Sequence, residues 1–216
     1  RLSLATFALV LIFRLPLAIL APVISPDSTN YLLVADNIFL NACISISPPD
    51  TAACIPHWGG NHLPGYPVFV GLVRQLAGTN PYFVTVVQSA LVAAAFARLV
   101  FAVGRLVPIS GIVIAVGLVS ALSPINIPWV RFVLPDALVV AAAAVLFAEL
   151  CLSIVEGRLR VFTVGVALLC ACLLRYDAAL LSIPVAIIGF SLHSFREAIS
   201  RGVIFFLIVS IPVGGF

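Results

Sequence analysis

The chain has 216 residues, of which 63% are hydrophobic and only 9% charged, and its mean hydropathy is +1.26. A water-soluble domain carries about 45–50% apolar and about 25% charged residues, so this composition excludes a soluble globule, a disordered chain and a basic nucleic-acid binder. The net charge of +3 arises from eleven arginines against eight acids with no lysine; so small a surplus implies no anionic macromolecule as partner, and the information lies in where the arginines sit.

The remaining class is an integral membrane protein, all-α by necessity of its apolar runs. The first run, Leu2 to Val23, is too long for a signal-peptide core and no small-residue cleavage pattern follows it, so it reads as a spanning helix. Arg14 interrupts this run near its far end, where a long side chain is expected to reach the headgroups.

A polar stretch, 23–80, comes next and holds Asp27, Asp36, Asp50, His57 and His62. It reads as a long loop with short interfacial helices of its own, and loops of that length in compact proteins usually carry function. Pro26 precedes Asp27, after which Tyr31, Leu32, Ala35, Ile38 and Phe39 recur at helical spacing. The pattern predicts a short amphipathic helix capped by Asp27 or Ser28. Further on, Pro64-Gly65-Tyr66-Pro67 makes a rigid turn into a second helix that runs to Ala77.

Apolar runs return from Pro81 to Gly104, Ile109 to Leu122, Ala137 to Val155, Val161 to Leu174, Ala178 to Leu192 and Val203 to Phe216. Several fall short of the roughly 20 residues that cross about 30 Å of hydrocarbon, which implies tilt or partial re-entry. Counted with the first, about seven membrane segments form one polytopic helix-bundle domain over 1–216. The absence of methionine and the apolar final run read as the marks of a piece of a longer chain.

Orientation follows from the arginines. With the N-terminus cytoplasmic, the inner side holds Arg1, Arg105, Arg158, Arg160, Arg196 and Arg201, and the outer side Arg74, Arg131 and Arg175; the excess belongs on the cytoplasmic face. Five acids then gather outside: Asp27, Asp36 and Asp50 in the loop, Asp136 at the start of a later helix, and Asp177 at the third outer turn. Glu149 is the exception, expected to be buried within its span against a polar partner or protonated.

Asp27 and Asp136 each follow a proline at a helix start on the same side. Two such carboxylates can share a cation or one substrate, and two independent helix caps are the competing reading. His57 and His62 sit five apart in the loop, where with Asp27 or Asp50 they are candidates to hold a divalent cation, against ordinary loop hydrogen bonding. No cofactor motif is present. Cys43 and Cys54 flank Ser47-Pro48-Pro49-Asp50-Thr51 and are expected to form a disulfide if the loop faces an oxidising compartment.

The ordered set Asp27-Ser28-x-x-Tyr31-x-x-x-Ala35, Pro64-Gly65-Tyr66-Pro67, Ser123-Pro124 with Pro135-Asp136, and Leu174-Arg175-Tyr176-Asp177-Ala178 resembles the polyprenyl-phosphate-dependent glycosyltransferases of the GT-C fold. The nearest groups are the protein O-mannosyltransferase-like and aminoarabinose-transferase-like enzymes. The resemblance implies transfer of a sugar from a lipid-phosphate carrier to a glycan, lipid or protein acceptor at the extracytoplasmic face of a membrane, the bacterial inner membrane being expected. It makes Asp27 the general base or acceptor orienter and Asp136 the second-loop acid that assists the site or a metal. Where the family often has Asp-Glu at its first acidic position, this chain has Asp27-Ser28.

Those residue types suit the chemistry. An acceptor hydroxyl must lose its proton as it attacks the anomeric carbon, and a positioned carboxylate that takes it is worth about 10²–10⁴-fold. The leaving phosphate needs no strong acid but is well matched by the planar fork of arginine. Tyr31, His62, Tyr66, Arg74, Arg131 and Arg175 are the substrate-binding candidates, with lipid headgroups as the competing partners of the arginines. A secondary transporter, hinted at by Arg98 and Glu149 within apolar runs, and a non-catalytic subunit of an envelope complex are the alternative functions.

Overall fold

A computed structural model describes residues 2–20, 22–45, 63–123 and 130–192. These residues are 83% helical and contain no strand. Three helices are long and apolar enough to cross a membrane: α1 (Leu2–Leu20), α4 (Pro81–Leu106) and α6 (Asp136–Glu156). At 1.5 Å per residue, even the shortest extends about 28 Å, close to the thickness of a hydrocarbon core. Shorter apolar helices are α5 (Ser110–Leu122), α7 (Val161–Leu174) and α8 (Ser182–Leu192), the last entered through a 3-10 turn at Tyr176–Leu181. The stretch after α1 contributes α2 (Pro26–Asn41) and α3 (Gly65–Ala77).

The core is built on α4, which packs against α1 on one side and α6 on the other. Small residues make this close approach feasible. Ala93 and Ala95 of α4 meet Ala141 and Ala144 of α6 in a buried cluster that also takes in Val10 of α1, Val92 and Phe96. Outward, α1, α5, α7 and α8 expose large apolar side chains such as Leu4, Leu20, Val119, Phe162 and Ile187. In water so many exposed apolar groups would be a liability; against lipid they cost nothing.

Arg14 departs from expectation. It does not extend to the end of its helix but is 0% exposed within the bundle. Its Nη2 donates to the Ser120 carbonyl of α5 at 3.0 Å, and its guanidinium lies 5.4 Å from the Phe96 ring centroid. The physical reason is that a charge within an apolar helix is stabilised by facing protein dipoles and an aromatic face rather than lipid.

The start of α2 is also corrected. The N-cap is Ser25, whose side chain accepts from the Ser28 backbone N–H at 3.1 Å, while Ser28 Oγ accepts from the Ser25 N–H at 3.0 Å. This reciprocal box satisfies two of the otherwise orphaned donors. Pro26 occupies the first turn, where a missing N–H costs nothing. Neither Asp27 nor Ser28 is the cap residue, and Asp27 is left with an exposed carboxylate.

Helices α2 and α3 lie against each other with little spacing. A Cβ added at Gly71 would come within 2.2 Å of the Phe39 ring, and one at Gly65 within 2.5 Å of the Leu173 carbonyl oxygen at the end of α7. Glycine is required at both because helix backbone and ring approach closer than any side chain permits. Near the end of α2, Cys43 is buried and disulfide-bonded. Cys151, Cys170 and Cys172 are free, and Cys54 lies outside the described residues.

Candidate functional site

The site is assembled by one short backbone pairing. Val23, just after α1, forms a parallel bridge with Phe132, just before α6. The Val23 N–H donates to the Arg131 carbonyl at 2.8 Å and the Val133 N–H to the Val23 carbonyl at 3.4 Å. Two segments more than a hundred residues apart are thereby joined, and each leads within four residues to an aspartate: Asp27 on one side, Asp136 on the other.

Beneath this pairing lies a second buried cluster containing Tyr31 and Ala35 of α2, Tyr66 and Val70 of α3, Val84 of α4, Val133, and Leu138 of α6. The rings of Tyr31 and Tyr66 meet edge to face, with centroids 4.9 Å apart, an arrangement worth about 0.5–1.5 kcal/mol beyond burial. The Tyr66 hydroxyl donates to Gln88 Oε1 of α4, and Gln88 Nε2 donates onward to the Phe132 carbonyl at 3.1 Å. One hydrogen-bonded chain thus ties α3, α4 and the segment before α6, and the Tyr31–Tyr66 ring contact adds α2.

The electrostatics at the rim follow from this arrangement. The Tyr31 hydroxyl is pushed up to about 12, first by burial and then by the negative charges of Asp136 and Asp27, with Arg175 pulling the other way. Tyr66 is raised well above the ordinary tyrosine value, mainly by burial. Tyr31 therefore marks the place where both carboxylates are felt, and it stays a neutral hydroxyl at physiological pH.

Asp136 opens α6 after Pro135, and the helix has no side-chain cap there. Its carboxylate instead accepts from Arg175 Nη1 at 2.7 Å. The other edge of the same guanidinium serves Asp177, with Nε and Nη2 donating at 3.1 and 3.2 Å. Held between two acids, Arg175 is raised above its ordinary value, most by the hydrogen bond to Asp177. Asp27 makes no hydrogen bond or ion pair among the described residues.

Of the sequence candidates, Asp27, Tyr31, Tyr66, Asp136 and Arg175 converge here. Arg131 supplies a backbone carbonyl to the Val23 bridge, and its Nε has no hydrogen-bond partner among the described residues. Arg74 is taken up elsewhere: its Nη1 lies 2.7 Å from Asp36 Oδ1, an ion pair between α2 and α3. His57, His62 and Asp50 lie outside the described residues, and within those residues no three His, Cys, Asp or Glu side chains group as a metal site.

Gln88 was missed at the sequence level, and Asp177 was read as an outer acid but not as a member of the site. Gln88 carries the chain from Tyr66 to Phe132, and its signal was a lone amide inside the apolar run of α4. Asp177 shares Arg175, and its signal was the Arg-x-Asp spacing itself.

Glu149 belongs to a separate cluster. It is 4% exposed, and its Oε1 accepts from Arg98 Nε and Nη2 at 3.1 and 2.8 Å. Its Oε2 accepts from Arg160 Nη1 and from Thr163 Oγ1, the latter at 2.9 Å. Ser153 Oγ donates to the Glu149 carbonyl at 2.7 Å and accepts from the Arg160 N–H at 3.1 Å, which locks the turn between α6 and α7. The expected polar partner of Glu149 is therefore a pair of arginines. No family model, no curated protein and no solved structure matches the chain.

Proposed function

We propose that this chain carries the site of a membrane glycosyltransferase that moves a sugar from a polyprenyl-phosphate carrier to an acceptor hydroxyl. The observation that carries the reading is the Val23–Phe132 bridge, which joins the segments leading to Asp27 and Asp136, with Arg175 bonded to Asp136 beside it; both acids also raise Tyr31. Asp27 is the general base: exposed, outside the capping box and unpaired, it is the carboxylate with capacity to accept a proton. The acceptor oxygen attacks the anomeric carbon, its proton passes to Asp27, and the bond to the carrier phosphate breaks with its electron pair leaving on the phosphate.

Arg175 is the phosphate ligand in this scheme. Its Nη1 stays on Asp136 as an orienting contact, while the donor phosphate competes with the exposed Asp177 for Nε and Nη2. Arg131, whose partly buried side chain holds a buried Nε with no hydrogen-bond partner among the described residues, is the second cation assigned to the same phosphate. Asp136 acts by aiming Arg175.

In this reading seven segments cross the bacterial inner membrane with the N-terminus cytoplasmic, following the arginine bias. The disulfide at Cys43 supports a rim that faces the oxidising side. The transporter alternative drew on Arg98 and Glu149, and those two side chains are bonded to each other, with both Glu149 oxygens filled by protein donors.

The test is sugar release from a polyprenyl-phosphate donor by the full protein and by Asp27→Asn. Turnover falling by about 10²–10⁴-fold in a folded variant is the expected result. Unchanged turnover removes Asp27 as base, and movement of an unmodified solute across vesicles in place of transfer replaces the enzyme with a transporter.

A further inference from the structure

At the end of α6 remote from the rim, five charged side chains form one unbroken line. Arg98 meets Glu149, Glu149 meets Arg160, Arg160 Nε lies 3.7 Å from Glu156 Oε1, and Glu156 Oε2 lies 3.4 Å from Arg158 Nε. Charges alternate along it, but three cations face two anions, and both ends are cations. The side chains at those ends are also open, Arg98 at 40% and Arg158 at 75% exposure. Two helical turns beyond Arg98 on α4, Arg105 is exposed and makes no hydrogen bond or ion pair among the described residues.

These cations border apolar surface rather than a polar one. Phe101 lies 5.8 Å from the Arg98 guanidinium and is 44% exposed. Phe162, in the first turn of α7 and two residues after Arg160, is 75% exposed. Surplus positive charge at the ends of helices long enough to span a membrane, flanked by outward aromatic rings, matches one chemistry: a phosphate attached to hydrocarbon chains.

We propose that the face formed by Arg98, Arg105 and Arg158 is a binding site for the headgroup of an anionic phospholipid, with Phe101 and Phe162 against its acyl chains. A free inorganic anion would use the arginines but leave the outward apolar surface of the rings uncovered. The inner anion, Glu149, is buried and saturated, so it keeps Arg98 in place without cancelling the charge at the line's ends. The site does not depend on sugar transfer at the opposite rim, so the two proposals stand or fall separately.

The experiment measures retention of phosphatidylglycerol and phosphatidylcholine by the full protein in detergent, using native mass spectrometry, with inorganic phosphate as competitor. Saturable retention of phosphatidylglycerol at least ten-fold stronger than of phosphatidylcholine is expected. Each arginine lost is expected to weaken it about five-fold, so Arg105→Gln with Arg158→Gln gives about twenty-five-fold. Glu156→Gln, which raises the positive surplus, is expected to strengthen retention several-fold. Equal retention of the two lipids, an unaffected double variant of unchanged melting temperature, or displacement by inorganic phosphate at the lipid's own concentration would each overturn the assignment. Both arginines are solvent-facing and outside the Glu149 hydrogen bonds, and Glu156→Gln gives an independent variant of opposite sign.

Discussion

Asp136 and Glu149 lie on the same helix, about 20 Å apart along its axis, and live under opposite rules. Glu149 is buried with both oxygens saturated by two arginines and a threonine. Asp136 is partly exposed and shares one arginine with Asp177, while Asp27 opposite it has no partner among the described residues. A carboxylate whose hydrogen-bonding capacity is filled by protein can hold helices together but has nothing left for a substrate. A half-open pair of acids around one arginine costs stability yet retains capacity to bind and to take a proton, the signature of a site over a strut.

That contrast can be broken. Asp27→Asn, as above, carries the largest effect and should appear in turnover with no change in melting temperature. Glu149→Gln should do the reverse. It leaves Arg98 without a counter-charge and Arg160 with only the longer contact to Glu156, so a loss of about 3 kcal/mol is expected, at the low end for a broken buried pair because both arginines keep partial access to their surroundings. Chemical unfolding in detergent reads it, and activity per folded molecule should be unchanged. A Glu149→Gln protein that lost activity while keeping its stability would erase the distinction between the two regions.

Arg175→Lys is the next smaller change. An ammonium keeps the charge but cannot bridge Asp136 and a phosphate with a fixed fork. Loss of one charge-assisted hydrogen bond, about 1.5–3 kcal/mol, should appear as an approximately ten- to hundred-fold fall in kcat/KM for the lipid donor, with the acceptor KM little altered.

The smallest effect tests the convergence directly and needs no substrate. Tyr31 holds its proton up to about 12, against an ordinary value of 10, so between these two the unfolded chain releases the proton first. Its contribution to stability is therefore present below about pH 10 and is lost as the pH rises through the folded value. Phenolate absorbance of the protein against Tyr31→Phe measures the titration. Asp136→Asn should lower it more than Asp27→Asn, following the order of their influence, and Glu149→Gln should leave it in place. If neither aspartate moves it, the two acids do not meet at this rim.

Much of this was legible in the chain itself. The apolar runs of α1, α4 and α6 announce helices, because only intrahelical bonding satisfies a backbone in an apolar setting. Pro26 and Pro64-Gly65-Tyr66-Pro67 announced two short helices, observed as Pro26–Asn41 and Gly65–Ala77. The cap of α2 was misassigned because Asp27, Ser28 and Ser25 are all good caps, and only the backbone angles choose among them. Arg14 was misjudged because a sequence reveals how far an arginine lies from a helix end but not whether a carbonyl and an aromatic face wait beside it.

The amino-acid order by itself determined that the described residues are helical and membrane-compatible, with a short set of acids and arginines at helix ends, since composition and periodicity are local properties that helices read directly. Which of those charges are spent on each other was decided by tertiary structure alone. The Val23–Phe132 bridge, the Tyr66–Gln88 chain and the pairing of Arg98 with Glu149 join residues 22 to 109 positions apart. Pairings at such separations depend on how helices stack, and the same residues in another packing would exchange the roles of strut and site.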